Sequence, residues 1–289
     1  MLKLVPGRTF ALLSVLVPAG LMIVACPNAR ANDISYVNMF RNVSYQQTGN
    51  GNSLSLNGAF WSAELNTSSA NPYTSASVTL PDGSSISLSQ SSPADYSYQT
   101  SLLPSKAAMN AAYPKGTYTF TGVDGGVTDT ATLDYTSNDY SQTLPFLAGS
   151  TYSDLQNMNA ANSFTFNLSP YTPGANPDQT DAFIFLTVYD QLTGDVVFTQ
   201  GFLPSSTSSI TMAGGTLAAD SSYDYELDYS DRDQVSGDGG NFSPVVGFDL
   251  RTDGIFTTAA AAPTPEPSSL LLLGTGLLAG MGTIRRRFA

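Results

Sequence analysis

The residues best suited to chemistry are carboxylates that cluster after position 223. Asp224, Glu226 and Asp228 are spaced two residues apart, so on a β-strand their side chains lie on one face. Three carboxylates on one face repel one another unless water or a cation screens them, and Ca2+ takes about six to eight oxygen ligands. The pattern therefore predicts either a calcium site at these three acids or a solvated acidic strand face. The alternating partners would face the core: Tyr223, Tyr225, Leu227 and Tyr229.

Composition removes several classes of enzyme. The 289 residues include no His and one Cys, which excludes nucleophiles activated by His. The formal net charge of −12 argues against nucleic-acid binding, which needs a basic surface. Glu64 near Trp61 is the combination closest to a glycosidase site. We interpret Trp61 as a core residue and Glu64 as a solvated neighbour on the opposite strand face, and we predict a protein without enzymatic activity.

Short β-strands must position these side chains. Runs rich in aromatic and β-branched residues alternate with turn residues from position 34 to position 250. One short helix is predicted over residues 105–112. Strands are predicted over residues 34–40, 59–65, 76–80, 85–88, 96–100, 117–123, 127–135, 163–168, 181–189, 195–202, 208–212, 223–229 and 244–250.

Two tyrosines indicate the fold class. Leu217 lies six residues before Tyr223, which opens an alternating strand, and this resembles the tyrosine corner of immunoglobulin-like and fibronectin type III domains. Ala219 departs from the fibronectin form, where Pro is usual. Tyr118, after Pro114, resembles the same device. The resemblance implies that each phenol bonds to backbone at the entry to a strand while its ring packs on the core.

We therefore predict an all-β protein, an antiparallel β-sandwich of two immunoglobulin-like or jelly-roll modules over residues 32–140 and 141–258. The boundary is placed between Thr136 and Thr151, where the strand pattern is interrupted. A single large jelly roll is the alternative.

The N-terminal residues 1–31 predict a signal peptide whose apolar segment forms a signal helix. Lys3 and Arg8 precede an apolar run, and Ala29 and Ala31 form a small-x-small cleavage site. Residues 23–26, which end in Cys26, resemble a bacterial lipobox, so lipidation of Cys26 is the alternative. In neither case does the mature protein contain a disulfide.

The C-terminal residues 263–289 combine three features. Pro265-Glu266-Pro267 is followed by an apolar stretch over residues 268–284, which predicts a transmembrane helix, and then by Arg285, Arg286 and Arg287. Residues 259–267 are rich in Ala and Pro and predict an extended stalk. The order of the three features closely resembles the PEP-CTERM sorting signal of exported bacterial proteins. The resemblance implies an exosortase-type sorting enzyme as partner and a membrane-anchored intermediate.

The sequence predicts an exported, non-catalytic protein of the cell surface or extracellular matrix. Its expected role is structural or adhesive within an exopolysaccharide or biofilm layer, with divalent cations bridging to acidic glycans. A carbohydrate-binding module with a glycan site on sandwich loops is the first alternative. An all-β glycan hydrolase that uses Asp pairs is the second.

Overall fold

The computed structural model describes residues 33–70, 72–175, 179–238 and 243–260. The predicted signal peptide, with Ala29, Ala31 and Cys26, lies outside the described residues, and so do the predicted transmembrane helix and the sorting tail. Within the described ranges, neither helix has the length and apolar character that a bilayer crossing requires.

Thirteen strands and two short helices make up the described part of the chain. Each run predicted as a strand falls on an observed strand, and the predicted helix is confirmed, with Ser105 as its N-cap. The second helix was not predicted, since its five residues are too few for a periodic signal. In chain order the elements are β1 (Ile34–Gln47), β2 (Leu54–Thr67), β3 (Ser75–Thr79), β4 (Ser85–Ser92), β5 (Asp95–Gln99), α1 (Lys106–Ala112), β6 (Gly116–Asp124), β7 (Val127–Tyr135), α2 (Thr151–Leu155), β8 (Phe164–Asn167), β9 (Gln179–Asp190), β10 (Val196–Pro204), β11 (Ser209–Met212), β12 (Ser222–Gln234) and β13 (Val245–Thr257).

Eleven strands form one mixed sheet in the order β10-β9-β12-β13-β1-β2-β5-β4-β3-β6-β7, and β11 pairs with β8. The prediction of a purely antiparallel sheet is wrong at one place, because β1 and β13 run parallel. A hairpin forces antiparallel pairing, whereas two strands separated by most of the chain are free to pair in either direction. The parallel pair joins the four strands β10-β9-β12-β13 to the seven strands from β1 to β7 in the sheet order.

The strand β4 turns the sheet into two layers. It pairs with β3 through Ser85 to Leu88 and with β5 through Ser89 to Ser92. The ring of Trp61 on β2 stacks on Tyr113 at 4.3 Å and lies 6.0 Å from Tyr118 on β6, so the layer β3-β6-β7 covers one face of β1, β2 and β5. The pair β8-β11 covers the same face of the sheet under β9 and β12, because Phe166 and Ile210 belong to one apolar cluster with Leu186 and Tyr225. Tyr171, which follows β8, stacks on Tyr229 at 4.4 Å.

Two clusters of buried apolar residues lie between these layers. The first cluster is built mainly from β1 to β7, and the second from residues 147–229. The strand β13 contributes to both, since Phe248 belongs to the first cluster and Phe256 to the second. These residues have the same parity on β13, so both clusters lie on one side of the large sheet. The division into modules at residues 136–151 stays a prediction, and the shared sheet crosses it.

Both tyrosine corners are present. The Tyr223 hydroxyl accepts a hydrogen bond from the Ala218 backbone N–H at 2.9 Å, and the Tyr118 hydroxyl donates to the Pro114 carbonyl at 2.7 Å. Both rings are buried, and so is Leu217. Each corner therefore ties the turn that precedes a long strand to the core beneath that strand.

Candidate ligand-binding face of the large sheet

The large sheet has a second face that points away from both apolar clusters, and we call it the outer face. On β12 the aromatic and apolar residues belong to the inner cluster, so the alternate residues Asp224, Glu226, Asp228, Ser230 and Arg232 lie on the outer face. This confirms that the three predicted acids share one face. Cross-strand partners extend the face onto β9, β13 and β1.

An arginine links two of the three predicted acids. Arg251 on β13 lies 2.9 Å from the Glu226 carboxylate through Nη2 and 2.9 Å from the Asp228 carboxylate through Nε. The side chains of these three residues are 16%, 13% and 14% exposed, so the ion pairs are mostly surrounded by protein. Asp224 is positioned separately, because the Gln191 amide donates to its carboxylate. The charge that compensates Glu226 and Asp228 is therefore a guanidinium.

Two further acids complete the charge network on β13. The Asp249 carboxylate accepts a hydrogen bond from the Ser230 hydroxyl, and the Asp253 carboxylate accepts one from the Ser44 hydroxyl at 3.1 Å. The Arg232 Nε also donates to Ser230 at 2.9 Å. These bonds hold the polar side chains in fixed positions across three neighbouring strands.

Several acids of the outer face have a raised pKa. Burial is the largest cause, and it raises the pKa of Asp228 well above its usual range and that of Glu226 in the same direction, against the opposing effect of Arg251. Burial also raises the pKa of Asp253 to about 6, with Arg251 opposing and Asp228 adding to the rise. The buried acids of the outer face therefore hold their protons more tightly than exposed carboxyls do.

The calcium site predicted at Asp224, Glu226 and Asp228 is not formed as a ligand set here. Among the residues that the structure describes, no group of three or more carboxylate, His or Cys side chains has the geometry to hold a metal ion. The position between Glu226 and Asp228 is taken by Arg251. A calcium role for these acids stays a prediction, now with an arginine as competitor.

Three phenylalanines form a cluster beside the acids, in which Phe202 is exposed and Phe183 and Phe185 are half-buried. Phe185 and Phe183 on β9 are the cross-strand partners of Asp228 and Ser230. Phe202 on β10 packs edge-on against both, with ring centroids 4.9 Å from Phe185 and 5.3 Å from Phe183. The ring of Phe202 is 45% exposed. We call these three residues the Phe cluster.

A β-bulge places Phe202 in this cluster. The register of β10 shifts between Gln200 and Leu203, so two residues oppose Phe185. Phe202 has a φ of 53°, a left-handed conformation that costs a bulky residue about 1 kcal/mol or more. A Cβ atom on Gly201 would lie 2.7 Å from the Phe185 ring, so the glycine lets that ring approach the bulge. Phe202 therefore has a strained backbone conformation that places its aromatic ring at the surface.

A second aromatic ring lies across the sheet. Phe40 on β1 lies under the Arg232 guanidinium, with Cζ 4.3 Å from the ring centroid. A Cβ atom on Gly247, between the two strands, would lie 2.4 Å from the Phe40 ring. Glycine at that position therefore lets the ring lie flat across the neighbouring strand.

The structure resolves the interpretation of Trp61 and Glu64. Trp61 is fully buried in the first apolar cluster, as predicted, and Glu64 lies on the opposite strand face. Glu64 is not solvated, however, since it is 4% exposed. Burial, with Asp95 nearby, raises its pKa to about 7, although Asn38 and Arg232 act in the other direction.

Two acids of β12, Asp231 and Asp233, are buried on the inner face. The Tyr171 hydroxyl donates to the Asp231 carboxylate at 2.9 Å, and this bond links β12 to the segment that follows β8. Burial raises the pKa of Asp231 to about 7, while the bonds from Tyr171 and the Gly174 backbone oppose the rise. Asp231 continues the alternation of Tyr223 to Tyr229, but the predicted strand ended at residue 229 and so did not include it.

Sequence reasoning missed Arg251 and the Phe cluster. Arg251 is one of only 11 Lys and Arg residues in the chain. Its position directly across from Asp228 depends on strand register, which the sequence does not specify. Phe183 and Phe185 were placed on a strand, but their position on the outer face was not predicted. An alternating Phe pattern within a strand is the signal that could have identified them.

Solved structures with similarity to this chain are distant β-rich proteins. A biofilm-associated protein BSP domain matches 72% of this chain and 28% of its own length, at 15% identity and a TM-score of 0.20. The chicken CNTN1 FN1-FN3 domains match 71% of this chain and 63% of their own length, at 11% identity and a TM-score of 0.24. Trypsin-activated alpha-2-macroglobulin from Escherichia coli matches 79% of this chain and 16% of its own length, at 12% identity and a TM-score of 0.25.

This chain thus spans less than two thirds of each of these three proteins. No curated protein matches the sequence.

The C-terminal sequence has a direct family match. The PEP-CTERM protein-sorting motif matches residues 263–287, which include Pro265, Glu266, Pro267, Arg285, Arg286 and Arg287. The motif implies export, processing by an exosortase and sorting to the cell surface. The chain is therefore an exported, mostly-β protein that carries a PEP-CTERM sorting motif.

Proposed function

We propose that this protein is a non-catalytic component of the extracellular matrix, with a structural or adhesive role in the exopolysaccharide layer around the cell. The PEP-CTERM motif at residues 263–287 carries the proposal, because it directs the mature chain to the cell surface. The β-rich body supplies a stable platform there. Its large sheet has 11 strands, and its outer face presents aromatic and charged side chains.

The absence of catalysis belongs to the proposal. The sequence has no His and one Cys, so the activated nucleophiles and imidazole bases of most hydrolases are unavailable. A hydrolase that uses Asp pairs is the remaining enzymatic alternative. The test measures turnover of the host exopolysaccharide by two variants, Asp228→Asn and Asp195→Asn, the second in the β9-β10 turn. Activity that is lost in Asp228→Asn and kept in Asp195→Asn would favour the hydrolase.

Cell fractionation of the source organism tests the proposed destination. The full chain is compared with a variant in which Pro265, Glu266 and Pro267 are replaced by Ala. We expect the unchanged chain in the matrix fraction and the variant in the membrane fraction, because processing requires the motif. An unchanged chain that stays in the cytoplasm or the membrane would overturn the proposal.

The adhesive role is tested in the same organism after deletion of the gene. We expect a matrix that is sheared from the cells more easily, with cohesion restored by the unchanged chain and not by the variant. A deletion strain with normal matrix cohesion and normal matrix composition would contradict an adhesive role.

A further inference from the structure

We propose that the outer face of the large sheet binds a polysaccharide that carries free amino groups. Phe202, beside the half-buried Phe185, would stack on the C–H face of a sugar ring, and the net negative charge of the face would attract the ammonium groups of the polymer. This inference rests on the proposed function and deepens it, since it names the adhesive surface and the class of its ligand.

The first step is the exposure of the Phe cluster. Core packing does not explain Phe202, because the next residue, Leu203, already packs against the apolar cluster. The bulge at Gly201 and Phe202 turns the ring outward, where it is 45% exposed and lies 4.9 Å from Phe185. Bulges of this kind redirect a side chain next to a functional site. Exposed aromatic rings offer flat apolar surface to the C–H face of a sugar ring.

The second step is the position of polar groups beside these rings. Asp228 and Ser230 are the direct cross-strand partners of Phe185 and Phe183, so a carboxylate that is 14% exposed adjoins the aromatic surface, while Ser230 is buried. The bond between Ser230 and Asp249 and the ion pair of Asp228 with Arg251 hold these groups in place. Aromatic surface with a few fixed polar groups is the composition of small-ligand sites in general.

The third step is charge. The described outer face carries more acids than cations on β12 and β13: the acids are Asp224, Glu226, Asp228, Asp249 and Asp253, and the cations are Arg232 and Arg251. A polymer of acidic sugars would be repelled by this excess, whereas an amino-bearing polymer complements it.

The negative charge of the outer face also argues against a second copy of this chain as its binding partner. Two outer faces brought together would oppose acidic surfaces, and the whole chain has a net charge of −12. Such a contact is unfavourable at low salt. A cationic polymer with apolar ring faces could stack on the Phe cluster and would carry the charge opposite to that of the acids.

The test measures binding of the full chain to defined oligosaccharides by calorimetry, in a polyoxyethylene detergent that contains no sugar. The probes are chitosan oligomers, the same oligomers after complete N-acetylation, and alginate oligomers as the acidic comparison. The first variant is Phe202→Gly, since glycine adopts the positive φ of 53° without strain. The matched control is Val127→Ala in the β6-β7 hairpin, a residue 44% exposed where Phe202 is 45% exposed. Near-ultraviolet circular dichroism and Tm verify that each variant is folded.

We expect chitosan oligomers to bind most tightly at low salt, acetylated oligomers to bind more weakly, and alginate oligomers not to bind. Phe202→Gly should weaken binding to both chitin-type probes about fivefold to tenfold, and Val127→Ala should not. The acetylated probe should still bind at about 0.5 M NaCl, because stacking is not screened by salt.

Three results would overturn the inference: equal binding by Phe202→Gly and the unchanged chain, preferential binding of alginate, or binding of chitosan alone that disappears with salt. The last result would mean attraction between net charges without a site. If the unchanged chain is nevertheless found in the matrix fraction, only the inference fails and the proposed function stands. If the chain never reaches the matrix, the proposed function fails whatever the oligosaccharides show.

Discussion

Arg251 on β13 and Asp228 on β12 are cross-strand partners whose side chains meet at 2.9 Å on the outer face of the sheet. The same guanidinium also pairs with Glu226, which lies two positions from Asp228 on β12. One cation therefore neutralises two neighbouring carboxylates that would otherwise repel each other. This arrangement places a guanidinium where the acidic pattern predicts a cation, and it determines how the face responds to substitution, pH and cations.

Replacing Arg251 with Met should destabilise the protein. The change leaves Glu226 and Asp228 largely buried without their cation, and breaking such a pair costs about 3 kcal/mol or more. The free energy of unfolding from urea titration at pH 8 measures the effect. Arg251→Lys is the control, because it keeps the charge and loses only the two-pronged geometry. A loss below about 0.5 kcal/mol in Arg251→Met would mean that the pair is solvated.

Calcium should have no stabilising effect on the unchanged chain. Because Arg251 lies between Glu226 and Asp228, we expect millimolar Ca2+ to move Tm by less than about 1 °C. In Arg251→Met the two carboxylates are left without this cation, so Ca2+ should raise Tm, and Mg2+ should raise it less. A saturable rise in the Tm of the unchanged chain would instead support the calcium site at Asp224, Glu226 and Asp228.

The protein should be more stable in mild acid than in mild base. Asp231 and Glu64 have pKa values raised to about 7 by burial, so the folded state holds their protons more tightly than the unfolded state. For a carboxyl with a raised pKa, the full stability is present below the unfolded pKa near 4 and is lost as pH rises towards 7. We expect a higher Tm at pH 5 than at pH 8.

The variant Asp231→Asn tests the contribution of one acid. Its amide oxygen still accepts from Tyr171, but it cannot ionise. The difference in stability between pH 5 and pH 8 should shrink by about 2 kcal/mol, whereas Asp195→Asn in an exposed turn should leave it unchanged. An unaltered pH profile in Asp231→Asn would show that Asp231 keeps an ordinary pKa.

The tyrosine corners should contribute similar stability at two distant places. Tyr223→Phe and Tyr118→Phe each remove one hydroxyl that bonds to backbone, at Ala218 and Pro114, and each should cost about 1 kcal/mol. Tyr45→Phe is the control. Tyr45 is half-buried on β1, and burial is the cause of the raised pKa of its phenol. Equal effects of all three substitutions would show that loss of the hydroxyl, and not of the corner bond, sets the cost.

The local structure was largely predictable from the sequence. Turn residues and alternating aromatic patterns located every strand and the helix after Ser105, because these signals act over a few residues. The corner at Tyr223 was predictable for the same reason, as its bond spans five residues.

The long-range arrangement was not predictable. The parallel pairing of β1 with β13 and the meeting of Arg251 with Asp228 depend on sheet order and register, which no local pattern encodes. Phe202 was placed at the end of a strand, yet its exposure follows from a bulge opposite Phe185. The candidate face therefore combines a predicted acidic row with an aromatic cluster that only the assembled sheet reveals.

The most direct test of an adhesive matrix role is co-sedimentation of the full chain with matrix polysaccharide from the source organism, with added Ca2+ and with chelator. The account predicts that the chain sediments with the polysaccharide in both conditions and that Phe202→Gly sediments less. A chain that stays in the supernatant at every calcium level would contradict the account.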